Sequence, residues 1–327
     1  TIGEMATTGA GSVIVKNVVV EAKAVVRLVL GCADNEDLPP FEAGAHIDIK
    51  LPNGLLRQYS LCRLQCDPRY YEIAVLKDPQ SRGGSAEVHS LQIGDRVEVS
   101  EPKNHFSLLN PKKNTLLIAG GIGVTPLLTM AQTLHSLGTP FAFHYCAKSS
   151  ETAAFVEALK LGSFSDKIAF HFSQELQSGR MDVEQVLSEH IHDTDLYICG
   201  PAEFITYVLT QARLLGWSEE RLHREYFAAP VVAENISEDT SFTIKIASSG
   251  KQFTVGEGQS ISQVLEVNGI FIPVACESGV CGTCQTGVVE GNPEHRDVFL
   301  TDKEKAQGKL IMPCCSRAKT GSITLDL

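Results

Sequence analysis

The sequence predicts a multidomain protein: an antiparallel β-barrel, then an α/β domain built on a parallel sheet, then a small α+β domain. Three observations carry this. Residues 12–105 hold many short β-branched or alternating runs with turn signals between them. From residue 115 to 228, apolar strand runs alternate with segments of helical spacing. Residues 242–327 begin with a hairpin pattern and hold five of the ten cysteines, all within the last 52 residues.

Each element follows from its residues. SVIVKNVVVEA (Ser12–Ala22), AVVRLVLG (Ala24–Gly31), AHIDIKL (Ala45–Leu51), QYSLC (Gln58–Cys62), YYEIAVL (Tyr70–Leu76) and DRVEVS (Asp95–Ser100) predict strands. LPNG and IGDR supply turns, and strands this short and close suggest a closed barrel. TLLIAG (Thr115–Gly120) is a buried-strand run. Within Thr125–Gly138, apolar residues at 127, 130, 131, 134 and 137 predict a helix, with Pro126 in its first turn and Gly138 as its cap. FAFHYCA, IAFHFS, DLYICG and RLHREYF predict further strands; ETAAFVEALKL, VEQVLSEH and AEFITYVLTQARLLG predict the helices between them. FTIKIASSGKQFTV reads as a hairpin, SISQVLEVNG as a short helix and SITLDL as a closing strand. Residues 1–11 are expected to be a loose tail and 229–241, acidic and without period, a linker. The expected domains are therefore 12–108, 112–228 and 242–327.

Composition narrows the function classes. The chain has 327 residues, 43% hydrophobic and 20% charged, with a net charge of −11. Residues 1–241 carry −10 of that and residues 242–327 only −1. An acidic balance argues against nucleic acid as a partner, which needs a basic face. No apolar run approaches the ~18 residues of a membrane helix. The N-terminus lacks the basic start and apolar core of a secretory signal, so a cytoplasmic location is expected. In such a chain, cysteines crowded at one end favour metal binding over a disulfide framework.

The stretch CESGVCGTCQTG places Cys276, Cys281 and Cys284 in a glycine-laced loop, and Cys314 follows 29 residues after Gln285. C-x4-C-x2-C with a distant fourth cysteine is the spacing of plant-type [2Fe–2S] ferredoxins. Two bridged irons need four thiolates, two per iron. Gly279 and Gly282 let the loop bend sharply and bring amide N–H groups toward sulfur. The ligands expected are Cys276, Cys281, Cys284 and Cys314. Cys315, the adjacent thiol in MPCCSR, is the alternative fourth ligand. A structural zinc site is the alternative chemistry, although such sites usually pair two C-x2-C knuckles and only one is present.

The loop, EHRD at 294–297 and SRAK at 316–319 resemble the ferredoxin domain of the phthalate dioxygenase reductase family, and the likeness covers nearly the whole chain from about residue 13. The resemblance implies a flavin-binding barrel, a nicotinamide domain and a C-terminal β-grasp ferredoxin domain, in the order read from the residues. It also places the fourth ligand two residues after a Met, which selects Cys314 over Cys315.

RQYS (Arg57–Ser60) resembles the R-x-Y-S motif of the wider ferredoxin-reductase superfamily. The resemblance implies that Arg57 neutralises the flavin phosphate, Tyr59 lies against the ring and Ser60 hydrogen-bonds near N5, the hydride acceptor. SRGGS (Ser81–Ser85) offers Arg82 as a charge, Gly83 and Gly84 as freed backbone N–H groups and Ser85 as a hydroxyl. A phosphate nest this compact fits FMN, with FAD as the alternative. Phe227 falls where the family places an aromatic against the flavin; a core Phe ending the last strand is the plainer reading.

GGIGVTP (Gly120–Pro126) follows a strand and opens a helix, so its backbone can approach a pyrophosphate. Gly121, Gly123 and Thr125 are its candidate contacts. It reads G-x-G-x-x-P and is not the Rossmann fingerprint. CGP (Cys199, Gly200, Pro201) resembles the family motif beside the nicotinamide, with Cys199 near C4 of that ring; a small buried thiol is the alternative. NADH is expected over NADPH because the family's Ser-Arg phosphate readers are missing from CAKSSET, although Lys148 keeps NADPH open; Arg180 either touches the adenosine half or simply sits on the surface.

Together these imply an NADH-dependent iron–sulfur flavoprotein reductase. NADH delivers a hydride to FMN, and the [2Fe–2S] cluster passes single electrons on. Catalytic roles fall to Ser60, Cys199 and Phe227. By the resemblance, the partner is the terminal oxygenase of a two-component Rieske non-haem iron system, and the protein is a monomer. The alternatives are a reductase serving another acceptor, such as a haem monooxygenase or a diaphorase substrate, and a non-enzymatic redox sensor or zinc-held module.

Overall fold

The computed structural model describes residues 11–63, 66–79, 83–228, 240–319 and 321–327. Most of the expected tail, most of the expected linker, and Ser81 and Arg82 of the phosphate nest lie outside the described residues. The chain divides into two compact units, Thr1–Glu225 and Tyr226–Leu327.

The first unit holds two sheets. Strands β1 (Ser12–Ala22), β2 (Val25–Gly31), β3 (His46–Lys50), β4 (Leu56–Ser60), β5 (Tyr70–Leu76) and β6 (Arg96–Val99) form a six-stranded antiparallel sheet in the order β4-β3-β6-β1-β2-β5. An isolated bridge between Leu61 and Ile73 brings the two edges together, so the sheet curls toward closure as the sequence predicts. Alternation along each strand turns Val13, Leu28, Leu30, Ile47, Ile49, Ile73 and Val97 into one core. Helix α1 (Gly84–Ser90) adds Val88 to that core. It is not legible in the sequence, because two leading glycines and only seven residues give little helical signal.

The second sheet contains β7 (Asn114–Gly120), β8 (Phe141–Ala147), β9 (Ile168–Phe172), β10 (Thr194–Gly200) and β11 (Leu222–Tyr226), in the order β11-β10-β7-β8-β9. β10 with β7, β7 with β8 and β8 with β9 pair in parallel. The crossovers use α2 (Val124–Leu137), α3 (Val156–Leu161), α4 (Val183–Glu189) and α5 (Ala202–Leu214). On α2, Leu127, Met130, Ala131 and Leu134 are buried as their spacing predicts, and Gly138 caps the helix at φ 68°. Leu137, expected on the same face, is 55% exposed because it lies at the last helical position, next to the chain reversal. α3 is shorter than ETAAFVEALKL suggests, because Phe155 adopts the left-handed region at φ 66° and the helix begins after it. Barrel residues Val25, Ala43, Cys62, Ala74 and Phe106 share a core with Ala119, Val124 and Leu127 of the parallel sheet and α2. Thr129 on α2 accepts a hydrogen bond from the buried Gly44 N–H at 3.1 Å, a further tie between the two layers.

The second unit is a mixed sheet in the order β13-β12-β18-β14-β16, built from β12 (Phe242–Ile246), β13 (Gln252–Val255), β14 (Thr286–Glu290), β16 (Leu310–Ile311) and β18 (Ser322–Asp326). β12 and β13 form the expected hairpin, while β12 runs parallel to β18. Helix α6 (Ile261–Val267) packs Ile261, Val264 and Leu265 on this sheet and begins with a Ser260–Gln263 capping box. A separate two-stranded ladder joins β15 (Pro293–Glu294) to β17 (Arg317–Ala318), and α7 (Asp302–Gln307) lies between them in the chain. No helix among the described residues is long and apolar enough to cross a membrane.

Candidate functional site

On the barrel side, the site begins on β4. Tyr59 pairs with Ile47 and Ser60 with His46 across β3. Ser60 is 6% exposed, whereas Arg57 and Tyr59 are half-buried. Burial pushes the Tyr59 phenol up to about 12, and the Arg57 charge only partly opposes this, so the phenol is neutral at physiological pH. The first turn of α1 packs on Arg57: a Cβ on Gly84 would stand 2.7 Å from Arg57 Nε. The two predicted phosphate elements therefore meet, although Gly84 lies 27 positions after Arg57. Gly83 precedes the helix at φ 96°. Ser85 Oγ accepts the Asp78 N–H at 3.0 Å, so this hydroxyl also braces the loop. A guanidinium laid against a glycine-opened turn fits a phosphate group.

On the other side, the ends of β7 and β10 close on each other. A Cβ on Gly200 would meet Gly120 Cα at 2.9 Å, and one on Gly123 would meet Cys199 O at 2.3 Å. Only glycine permits this approach, which forms a crevice at the carboxyl ends of adjacent strands. It is also where the sheet order reverses, the usual ligand position in open α/β sheets. Gly121 faces open space. Thr125 is 2% exposed and donates to the Ile122 carbonyl at 3.0 Å, so its hydroxyl is engaged within the turn. Pro201 caps the start of α5. Cys199 is fully buried, and burial holds its thiol well above the ordinary range, so it is a neutral thiol and not a nucleophile.

Glu225, on β11, is the residue that sequence reading missed. It hydrogen-bonds Ser60 and acts electrostatically on Cys199, so it lies beside both halves of the site. Burial raises its carboxyl to about 8, although the Ser60 bond pulls the other way. Its Oε2 is buried without a hydrogen-bond partner, as is Nε2 of His223 two residues earlier on the strand. The His223 ring stacks on Tyr197 at 4.4 Å. An unpaired buried carboxyl oxygen beside Ser60 and Cys199 fits a site that receives a polar ligand. The only sequence signal was an acidic residue within the strand run RLHREYF. Phe227, two residues on, is 40% exposed and belongs to the second unit.

The thiol loop is the third part. Gly279 and Gly282 both sit at φ 73°, as the bend requires. A Cβ on Gly279 would fall 2.6 Å from Cys315 Sγ, and one on Gly282 would fall 2.2 Å from the Phe299 ring. The Cys276 and Cys281 thiols are in contact, and so are those of Cys314 and Cys315. Backbone N–H groups already point at sulfur, from Ser278 to Cys276 Sγ at 3.4 Å and from Thr283 to Cys281 Sγ at 3.5 Å. Cys284 packs on Met312 with Leu300, Cys314 and Cys315 alongside, so the distant cysteines meet the loop's core. Among the described residues, no three His, Cys, Asp or Glu side chains are arranged to hold a single ion. A two-iron cluster instead spreads four thiolates over two irons.

EHRD and SRAK brace this cradle. Glu294 pairs with Arg317 in the β15–β17 ladder. Asp297 is 3% exposed; it accepts the Leu300 N–H at 2.9 Å and the Ser316 hydroxyl at 3.3 Å. Val298 N donates to the Gly279 carbonyl at 3.1 Å, so EHRD is tied directly to the thiol loop. Buried Arg317 donates to the carbonyls of Gln259 at 2.7 Å and of Thr240 and Gly256 at 3.1 Å.

Residues 244–319 match the 2Fe-2S iron-sulfur cluster binding domain family. Along 94% of its length the chain is 49% identical to a vanillate O-demethylase oxidoreductase of Pseudomonas sp., covering 96% of that protein. It is 37% identical over 93% of its length to the carnitine monooxygenase reductase subunit of Escherichia coli, covering 94% of that protein. Among solved structures it resembles phthalate dioxygenase reductase, described as modular for electron transfer from pyridine nucleotides to [2Fe–2S]. That likeness has a TM-score of 0.75 and 34% identity, over 97% of each chain. The cysteine cradle, the two crevice-lining layers and these likenesses agree: the chain belongs to the phthalate dioxygenase reductase family, NADH-dependent iron–sulfur flavoproteins that serve as the reductases of oxygenase systems.

Proposed function

We propose that this protein takes a hydride from NADH at the crevice of the first unit and releases electrons singly from the thiol cradle to the terminal component of a Rieske non-haem iron oxygenase. The observation that carries this reading is Glu225, which touches Ser60 of the barrel and acts on Cys199 of the parallel sheet. On this reading Ser60, proposed to face the flavin, and Cys199, proposed to face the nicotinamide, share one place.

When bound, FMN accepts electrons in a pair and gives them up one at a time, which neither NADH nor the cluster does alone. The chain's own residues set alignment and charge. Arg57 and the Gly83–Ser85 turn hold the phosphate, with Arg82 as a further cation. Tyr59 supplies an apolar face, and Ser60 a hydroxyl at the reacting edge. Gly121, Gly123, Thr125, Gly200 and Pro201 shape the pyrophosphate crevice. Neutral Cys199 packs without adding charge, and protonated Glu225 keeps the crevice free of a buried anion at neutral pH. Phe227 is proposed to cover the flavin. Cys276, Cys281, Cys284 and Cys314 are the iron ligands; N–H groups aimed at Cys276 and Cys281 favour the more negative reduced cluster and so raise its potential.

The domain limits that suit this reading are 12–108, 112–228 and 242–327, with 229–241 as linker. The protein acts as a cytoplasmic monomer that docks transiently on the oxygenase. The test is anaerobic titration with NADH while flavin and iron–sulfur bands are followed. Full reduction should take up three electrons per chain, two on flavin and one on the cluster, and FMN should be the flavin released on denaturation. A colourless protein, or bands that NADH does not bleach, would overturn the proposal.

A further inference from the structure

NADH and NADPH carry the same hydride and differ by one phosphate on the adenosine ribose. The sheet register shows where that ribose falls. Gly120 at the end of β7 pairs with Cys146 on β8, and Ala147 at the end of β8 pairs with Phe172 on β9. β10, with Cys199 and Gly200, lies on the other side of β7. A dinucleotide with its nicotinamide at Cys199 and its pyrophosphate over Gly121–Gly123 must extend its adenosine toward β8 and β9. Each strand step is about 4.8 Å, so those ends lie roughly 5 to 10 Å from Gly120.

Two loops are laced together there. Ser173 N donates to Ala147 O at 3.0 Å and Gln174 N to Lys148 O at 2.9 Å, which continues the β8–β9 ladder beyond the strands. Glu175 N then donates back to Phe172 O at 3.0 Å. Ser178 closes the base of this turn, with its hydroxyl 2.9 Å from both Phe170 O and Phe172 N. The Glu175 carboxylate crosses to the neighbouring loop, where Oε1 accepts Ser150 N at 2.5 Å and Ser150 Oγ at 2.7 Å. These two bonds also hold the carboxyl below its usual range, so it is ionised at neutral pH.

We propose that Glu175, pinned by Ser150, is the specificity-determining residue for NADH: its carboxylate accepts from the ribose 2′-hydroxyl and repels a 2′-phosphate. Both Ser150 bonds fall on Oε1, which leaves Oε2 as the acceptor for the hydroxyl. A 2′-phosphate would bring about −1.5 to −2 charges against a fixed anion. An acidic residue on the adenosine ribose serves the same end in other dinucleotide folds. In the sequence, Lys148 and Arg180 belong to the same two segments that follow β8 and β9. Glu151 in the same loop lies 4.0 Å from Lys23, an exposed pair that adds little.

This inference rests on the nicotinamide reading of Gly120–Pro126, and the experiment separates the two. ADP and 2′,5′-ADP are titrated calorimetrically into the full-length protein and into Glu175→Gln, Glu175→Ala and Ser150→Ala, with kcat and KM for NADH and NADPH measured in parallel. Gln keeps an acceptor for Ser150 and removes only the charge. The expected result is that Glu175→Gln narrows the ADP preference by about 10-fold, through tighter 2′,5′-ADP, and that the NADPH gain appears in KM. Ser150→Ala, which keeps the charge and the backbone N–H bond and loses only the hydroxyl bond, should narrow the preference less than Glu175→Gln. A preference unchanged in both Glu175 variants while ADP still binds overturns the inference alone. Failure of ADP to bind the wild type or to compete with NADH overturns the nucleotide-site reading, and this inference with it.

Discussion

The Ser60 hydroxyl at the end of β4 is hydrogen-bonded to the Glu225 carboxyl on β11, and this bond joins the barrel to the parallel sheet where Cys199 is also buried. The pairing puts a titratable group, raised to about 8 by burial, at the meeting point of the two layers.

Glu225 gives a pH signature with a definite sign. Its folded value lies above the unfolded one, so the native state holds an extra proton between about 4.5 and 8. The stability this adds is fully present below the unfolded value and is lost as pH rises through about 8. Thermal melts of wild type against Glu225→Gln should therefore show the wild type losing ground steadily from pH 5 to pH 9. Gln mimics the neutral acid, so flavin reduction by NADH at pH 7 should stay within a few-fold of wild type. Ala, which leaves the Ser60 hydroxyl unpaired, should slow it about 10-fold.

The two adjacent thiols are distinguished by metal content. Cys314→Ser should lose most of the iron, the acid-labile sulfide and the iron–sulfur absorption, while Cys315→Val should keep all three near wild-type levels. Equal loss in both, or loss only in the second, would reassign the fourth ligand.

Gly282→Ala is expected to damage the cradle from outside the ligand set. The new methyl meets the Phe299 ring at 2.2 Å, on a backbone at φ 73°. The left-handed conformation costs about 1–2 kcal/mol for an L-residue and overpacking about 1–3 more. A lower melting temperature with reduced iron per chain is expected, and adding Phe299→Ala should recover part of the iron content by removing the clash.

Flavin retention tests the contact between Arg57 and Gly84. Arg57→Lys keeps the charge but loses the planar fork, and should weaken FMN about 10-fold in fluorescence titration. Gly84→Ala places a methyl 2.7 Å from Arg57 Nε, so Arg57 must move and flavin should be lost although Arg57 itself is intact.

Features with a local signal are legible from the residues alone. Three cysteines within nine residues name their chemistry through spacing alone. Alternation in the first segment and helical spacing after Thr115 define the barrel and the parallel sheet, because side-chain direction repeats every 2 or 3.6 residues whatever the rest of the chain does. Which parts meet emerges from the folded chain. Glu225 reads as one more residue in a strand until the order β11-β10-β7 sets it beside Cys199 and barrel closure brings up Ser60. Glu175 reads as a loop acid until the β8–β9 ladder carries it to Ser150. EHRD and SRAK become a brace only when β15 finds β17. Such pairings depend on sheet order and chain closure over tens to hundreds of residues, and no local period encodes them.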